Sequence, residues 1–211
     1  MLPYYTGVKY ILYSCAFTLA SYITGWVKIA SIGLCVVVLL LCFFRNPIRK
    51  TLPVGPKQIL SPADGVVIKI VQNAQLPKGY EDFEQGGWQQ VSIFMGVHDV
   101  HINRAPISGK IVRKIHTLGS FKYAKANQAD VDNERLSIAI EDGFLMICQQ
   151  VAGMLARRII CHAKEGDHVQ GGAIYGIIQL GSRADLFFPG SLKAQVKIGQ
   201  KVRAGLDYIV S

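Results

Sequence analysis

The chain has 211 residues, half of them apolar, and its 23 basic and 14 acidic side chains give a net charge of +9 at pH 7. That length and composition suit one well-cored domain with an appendage, and they exclude a disordered chain or a disulfide-stapled mini-protein. Residues 1–44 carry only Lys9 and Lys28 as charges. The remaining +7 comes from 21 basic and 14 acidic residues beyond them, a modest excess that suits an anionic lipid surface better than nucleic acid.

Two uncharged runs come first in chain order, YILYSCAFTLASYITGWV (10–27) and IASIGLCVVVLLLCFF (29–44). As helices rising about 1.5 Å per residue they would span about 27 Å and 24 Å, each a little short of a hydrocarbon core roughly 30 Å thick. The expected arrangement is a helical membrane hairpin turning near Thr24, Gly25 and Trp26, with Lys28 snorkelling to the far interface. A cleaved signal peptide fits less well, because a second apolar run follows and no small-x-small cleavage site does. Arg45, Arg49 and Lys50 on the exit side place the rest of the chain on the cytoplasmic face of the inner cell membrane by the positive-inside rule. Cys15, Cys35 and Cys42 fall in these runs, and Cys148 and Cys161 in strand-like segments. With no C-x-x-C spacing, all five read as small buried hydrophobes.

The stretch FRNPIRKTLPVGPKQ, with three prolines, reads as a linker. Residues 1–50 therefore form anchor and linker, and 51–211 a β-rich domain. SPADGVVIKIVQ (61–72) reads as a turn and a strand, followed by strands over 90–96, 107–116, 135–141, 144–152 and 155–163. Asp142 and Gly143 mark a hairpin. Long helical periodicity is scarce beyond residue 50, so the expected class is mainly β, a β-sandwich or barrel-sandwich. GDHVQGG (166–172) and GQKVRAG (199–205) share G-x-x-V-x-x-G, an internal echo with the turn chemistry of lipoyl-type barrel-sandwich modules. The polar segment 117–134 holds Phe121 and Tyr123, which could dip into a membrane interface or pack ordinarily.

Chemistry-bearing residues cluster in FMGVHDVHINRAPISG (94–109). His98 and His101, three apart, point to opposite faces of an extended segment and to one face of a helical turn. A metal would need a third ligand, and His116, His162 and His168 show no zinc-type spacing, so none is expected. Asp64, in SPADG, has the setting of a turn-forming residue. IIQLGSRADLFFP (177–189) reads as an apolar strand interrupted by Gly181, Ser182, Arg183 and Asp185. A hydrolase triad of Asp64, His101 and Ser182 is conceivable but lacks the G-x-S-x-G elbow. A second use of Gly-Ser is attack by the Ser182 hydroxyl on the Gly181 carbonyl, followed by chain cleavage and conversion of Ser182 to a pyruvoyl group.

SPADG (61–65), HDVHINRAP (98–106) and LGSRADLFFP (180–189), in that order behind FFRNP (43–47), resemble the short-form phosphatidylserine decarboxylase proenzymes. The resemblance covers essentially the whole chain, including NER (133–135) and ARRI (156–159), and GSR in place of GST points to the short-form branch. It implies a pyruvoyl-dependent decarboxylase of phosphatidylserine, self-cleaved into a β chain of residues 1–181 and an α chain of 182–211. Ser182 is then the pyruvoyl precursor and the site of the Schiff base with substrate, and Gly181 gives the cleavage-site carbonyl. His101 is the base for self-cleavage, Asp64 orients it, and His98 handles the substrate carboxylate or a proton. The implied partners are phosphatidylserine in the membrane and the two chains of one precursor, with the oligomeric state left open. Two other readings stay beside it. One is a decarboxylase of another serine-headed lipid, such as an archaetidylserine-like ether lipid; the other is a non-catalytic, membrane-tethered β-sandwich binding module.

Overall fold

The computed structural model describes residues 5–83, 86–119, 133–153, 158–179 and 182–211. It divides into two units, Met1–Ile48 and Arg49–Ser211.

The first unit is a helical pair, α1 (Tyr5–Ile23) and α2 (Val27–Phe43). The turn falls at residues 24–26 as expected, with Gly25 at φ 80°, a conformation that only glycine takes without steric cost. The helices run antiparallel and close together where glycine removes a side chain: Gly33 lies under Thr18, and Gly7 under Phe44. With 19 and 17 residues, neither described helix is long and apolar enough to cross a membrane. The three helical cysteines are exposed here, contrary to the expectation of burial, whereas Cys148 is buried and Cys161 partly so.

The second unit is built from antiparallel strands. Its large sheet has eight, in the order β12-β2-β3-β11-β7-β6-β5-β9, from β2 (Gly65–Val71), β3 (Trp88–Met95), β5 (Gly109–Thr117), β6 (Arg135–Glu141), β7 (Leu145–Val151), β9 (His168–Val169), β11 (Ser182–Pro189) and β12 (Lys201–Val202). A three-stranded sheet joins β4 (Ile102–Arg104), β10 (Ile174–Ile178) and β8 (Ile159–Cys161) in the order β4-β10-β8, and β1 (Ile59–Leu60) pairs with β13 (Tyr208–Val210). One core lies between these sheets, with Val67, Ile93, Met95, Ile111, Ile138, Ala184 and Leu186 from the large sheet and Ile159, Tyr175 and Ile178 from the small one. The opposite face of the large sheet carries a second, smaller core of Tyr80, Trp88, Ala139, Ile147 and Phe187. A short 3-10 turn at Glu81–Phe83 is fastened beside it by Arg113, which grips both oxygens of Asp82 and lies over the Phe83 ring. The mainly β class therefore holds.

The echo seen in sequence is the visible part of a larger internal repeat. β9 and β12, which carry the two G-x-x-V-x-x-G loops, form the two opposite edges of the large sheet. Their partners β5 and β2 also match: SPADGVVIKI (61–70) and APISGKIVRK (105–114) superpose Pro62 on Pro106 and Gly65 on Gly109. In both copies the ladder shifts register two residues after that glycine, at Val67/Lys69 and at Ile111/Arg113. In both, the first loop glycine donates to the neighbouring strand, Gly199 to the Val67 carbonyl and Gly166 to the Ile111 carbonyl, each at 2.8 Å. The last loop glycines, Gly172 and Gly205, both abut Thr51 of the linker at positive φ. The linker thus has no regular structure, as expected, yet it is buckled onto both repeats.

Candidate active site

The IIQLGSRADLFFP segment is two strands. β10 ends at Ile178 in the small sheet and β11 begins at Ser182 in the large one, so the polar residues start a strand instead of interrupting it. Leu180 and Gly181 lie outside the described residues. Ser182 is opposite Met95, the last residue of β3, and is fully buried. Alternation along β11 puts Ser182 with Ala184, Leu186 and Phe188 on the inter-sheet face, and Arg183 and Asp185 on the other. Arg183 and Asp185, also buried, pair with each other at 2.8 Å. Ser182 Oγ has no hydrogen-bond partner among the described residues. A buried hydroxyl left that way costs free energy, and such a cost is typical of a functional group.

Immediately after Met95 the chain makes a tight turn. Gly96 N donates to Asp99 Oδ2 at 2.8 Å, and Asp99 N donates to the Gly96 carbonyl at 2.9 Å. This turn separates the two histidines, which are neither on one helical face nor equally accessible. The His98 side chain is 84 % exposed, with Nε2 3.8 Å from Asp99 Oδ1. His101 is fully buried and leads into β4. Its backbone carbonyl accepts from Ile178 N at 3.3 Å, so it lies beside the last residue of β10, four residues before Ser182. His101 Nδ1 is 3.0 Å from the Asp99 carbonyl oxygen. A carbonyl only accepts, so Nδ1 carries the proton in this contact, and in the neutral ring the lone pair is on Nε2.

Asp64 has a different setting. Its carboxylate takes a two-pronged grip from Arg49, at 2.6 and 2.7 Å, and a third bond from Ala204 N at 2.8 Å. Arg49 also donates to the Ala204 carbonyl. At the equivalent place in the other repeat, Ser108 Oγ accepts from Gly171 N at 3.0 Å. Asp64 is thus the clasp of its edge loop, as Ser108 is of the other, and the bond that fixes the His101 tautomer comes from the Asp99 backbone. Arg104 donates to the Gly172 carbonyl nearby, and burial, with Arg49 beside it, holds its guanidinium below the usual pKa.

Sequence reasoning overlooked two residues that complete the surroundings of Ser182. Asn103 follows His101 by two and is fully buried; its Oδ1 accepts from Gln150 Nε2 at 2.8 Å, and its Nδ2 points to Met95 Sδ at 3.8 Å. Gln150, also fully buried, lies opposite Ala184 on β7. A polar residue inside an otherwise apolar strand, as in LMICQQV, was the available signal.

A family model for phosphatidylserine decarboxylase matches residues 38–210. The chain belongs to the phosphatidylserine decarboxylase family. Similar curated proteins carry the name phosphatidylserine decarboxylase proenzyme. The one from Geotalea uraniireducens is 37 % identical over 94 % of this chain and 91 % of its own. That from Citrifermentans bemidjiense is 43 % identical over 77 % and 72 %, and that from Pelobacter propionicus 40 % over 78 % and 73 %. Within a phosphatidylserine decarboxylase family chain, the juxtaposition of Ser182 with the 96–101 turn is the part of the structure on which chemistry can be built.

Proposed function

We propose that this protein decarboxylates phosphatidylserine to phosphatidylethanolamine, with a pyruvoyl group that it makes from Ser182. The observation that carries the reading is the buried Ser182 hydroxyl, without a partner among the described residues, at a strand start opposite Met95, just before the 96–101 turn. His101 is held through Nδ1 by the Asp99 carbonyl, and in the neutral ring Nε2 is the basic atom that would take the Ser182 proton. Ser182 Oγ then bonds to the Gly181 carbonyl carbon, the amide C–N bond breaks, and the proton passes to the Ser182 nitrogen. Removal of the Ser182 Cα proton expels Gly181 as a carboxylate and leaves dehydroalanine. Its imine tautomer takes up water and loses ammonia, which leaves the ketone at residue 182.

The residues present fit such a group, because the precursor serine is fully buried and the equally buried His101 follows its strand partner Met95 by six residues. The pyruvoyl ketone supplies an electrophile for the substrate amine and a sink for the electrons left as CO2 departs. His98, exposed on the turn that follows Met95, would meet the headgroup carboxylate or move a proton.

The substrate lies in a bilayer, and the end of the large sheet that holds Ser182 suits a lipid surface. Exposed Val97 follows β3 there, and exposed Leu118 follows β5, whose Thr117 pairs with Arg135 in the same cross-strand row as Val151 and Arg183. The apolar outer faces of α1 and α2 support anchoring at the inner cell membrane, with the β unit on the cytoplasmic side. Exposed Lys50 suits an anionic headgroup, whereas Arg49 is taken up by Asp64.

Intact-mass analysis of purified protein tests the reading: two chains split between 181 and 182 are expected, the shorter beginning with a ketone. Ser182→Ala should stop both cleavage and decarboxylation. His101→Ala should slow cleavage on the order of 10²–10⁴-fold, while His98→Ala should cleave normally and turn over slowly. An active, uncut 211-residue chain would refute a pyruvoyl mechanism.

A further inference from the structure

The inference concerns Asn103 and Gln150, and it rests on the self-cleavage reading above. β11 has β3 on one side and β7 on the other, and these neighbours each send one side chain toward Asn103, Met95 from β3 and Gln150 from β7. Asn103 belongs to the small sheet, two residues from His101 on the same face of an extended segment. A single buried amide therefore ties β4, the strand that His101 leads into, to both strands that flank β11. Gly176, paired with Asn103 in the small sheet, is closely covered: a Cβ there would collide with the Ile160 carbonyl oxygen and meet the Gln150 amide at 3.2 Å. Gln150 Oε1 has no hydrogen-bond partner among the described residues. Hydrophobic pairing would fill the same space with no such cost, so stability alone does not account for the amide pair.

We infer that Asn103 and Gln150 are positioning residues for self-cleavage: their cross-sheet hydrogen bond sets where His101 lies relative to Ser182. A buried hydrogen bond between amides is directional in a way that leucine contacts are not. A displacement of about 1 Å between a base and its nucleophile can cost on the order of 10²-fold in rate.

The test is a time course of cleavage after cell-free synthesis of the full chain. Changing both residues together, Asn103→Leu with Gln150→Leu, removes the bond without orphaning either partner. This variant should unfold near the parent's thermal midpoint yet cleave roughly 10- to 100-fold more slowly. Exchanging the two side chains, Asn103→Gln with Gln150→Asn, restores an amide pair and should recover most of the rate. Hydroxylamine, which splits the ester formed after attack, should release no extra 182–211 fragment from the leucine variant, because the block precedes the ester. Parent-like cleavage of the leucine variant, ester accumulation in it, or an exchange variant as slow as the leucine one would each overturn the assignment. An uncut parent chain would instead defeat the self-cleavage reading itself.

Discussion

The SPADG setting of Asp64 is that of a turn residue and the family resemblance pairs it with His101, while in the structure its carboxylate is held by Arg49 and Ala204 N. Its carboxylate faces Arg49 with side-chain exposures of 12 % and 7 %, so removing one member leaves the other charged and nearly dry. Asp64→Ala should lower stability by about 3–5 kcal/mol in urea unfolding, whereas Ser108→Ala, which loses a single neutral acceptor in the other repeat, should cost about 1 kcal/mol. Asp64→Asn keeps an acceptor for Ala204 N and should fall between. Equal losses for Asp64→Ala and Ser108→Ala would mean that the Arg49 pair contributes nothing. Measuring cleavage in the same variants separates the clasp from any effect on His101: a well-folded Asp64→Asn that fails to cleave would assign the carboxylate a chemical role as well. The histidines were legible as a pair because two in four residues is unusual. Their division into one exposed and one buried came from the 96–99 turn, which a single aspartate and a glycine determine.

At the level of elements, strands with alternating or continuous apolar residues were readable, and so was the Asp142–Gly143 hairpin, whose glycine takes φ 69°. The two-residue strands β1, β9 and β12 were not, because so short a segment has no period and is a strand only by virtue of its neighbour. The break between β10 and β11 was hidden for a related reason: both halves are apolar, and nothing local says that they belong to different sheets. The repeat was read from its glycines at one end and missed at the other. Gly65 and Gly109 have φ of 153° and 147°, and a Cβ on either would collide with a backbone carbonyl, Phe94 or Glu141 respectively. Gly65→Ala and Gly109→Ala should therefore each destabilise by about 1–3 kcal/mol, by similar amounts in denaturant melts; a neutral effect at either would break the equivalence. On the other face of the sheet, burial raises the Tyr80 hydroxyl to about 12. A raised pKa means that the folded state holds the proton more tightly, so this contribution to stability is complete below pH 10 and fades as pH rises through about 12. A phenolate titration at 295 nm should show at least two late-ionising tyrosines, since burial also raises Tyr175, and Tyr80→Phe should remove one of them.

For the molecule as a whole, the strand order β3-β11-β7 places the first strand of residues 182–211 in the interior of the sheet, while β12 and β13 of the same segment pair with β2 and β1. A cut before Ser182 would break no strand pairing. It would, however, change what the sequence encodes. The precursor can find this arrangement because β11 is tethered to the rest; two separate chains would have to insert a 30-residue peptide between strands already formed. Unfolding of the cut protein should then be a one-way event. After dilution from urea, uncut Ser182→Ala should regain its far-ultraviolet circular dichroism and the cleaved protein should not; full recovery of the cleaved form would contradict this. Such an enzyme would be a metastable assembly, persisting by the height of its unfolding barrier, and each molecule would fold only once.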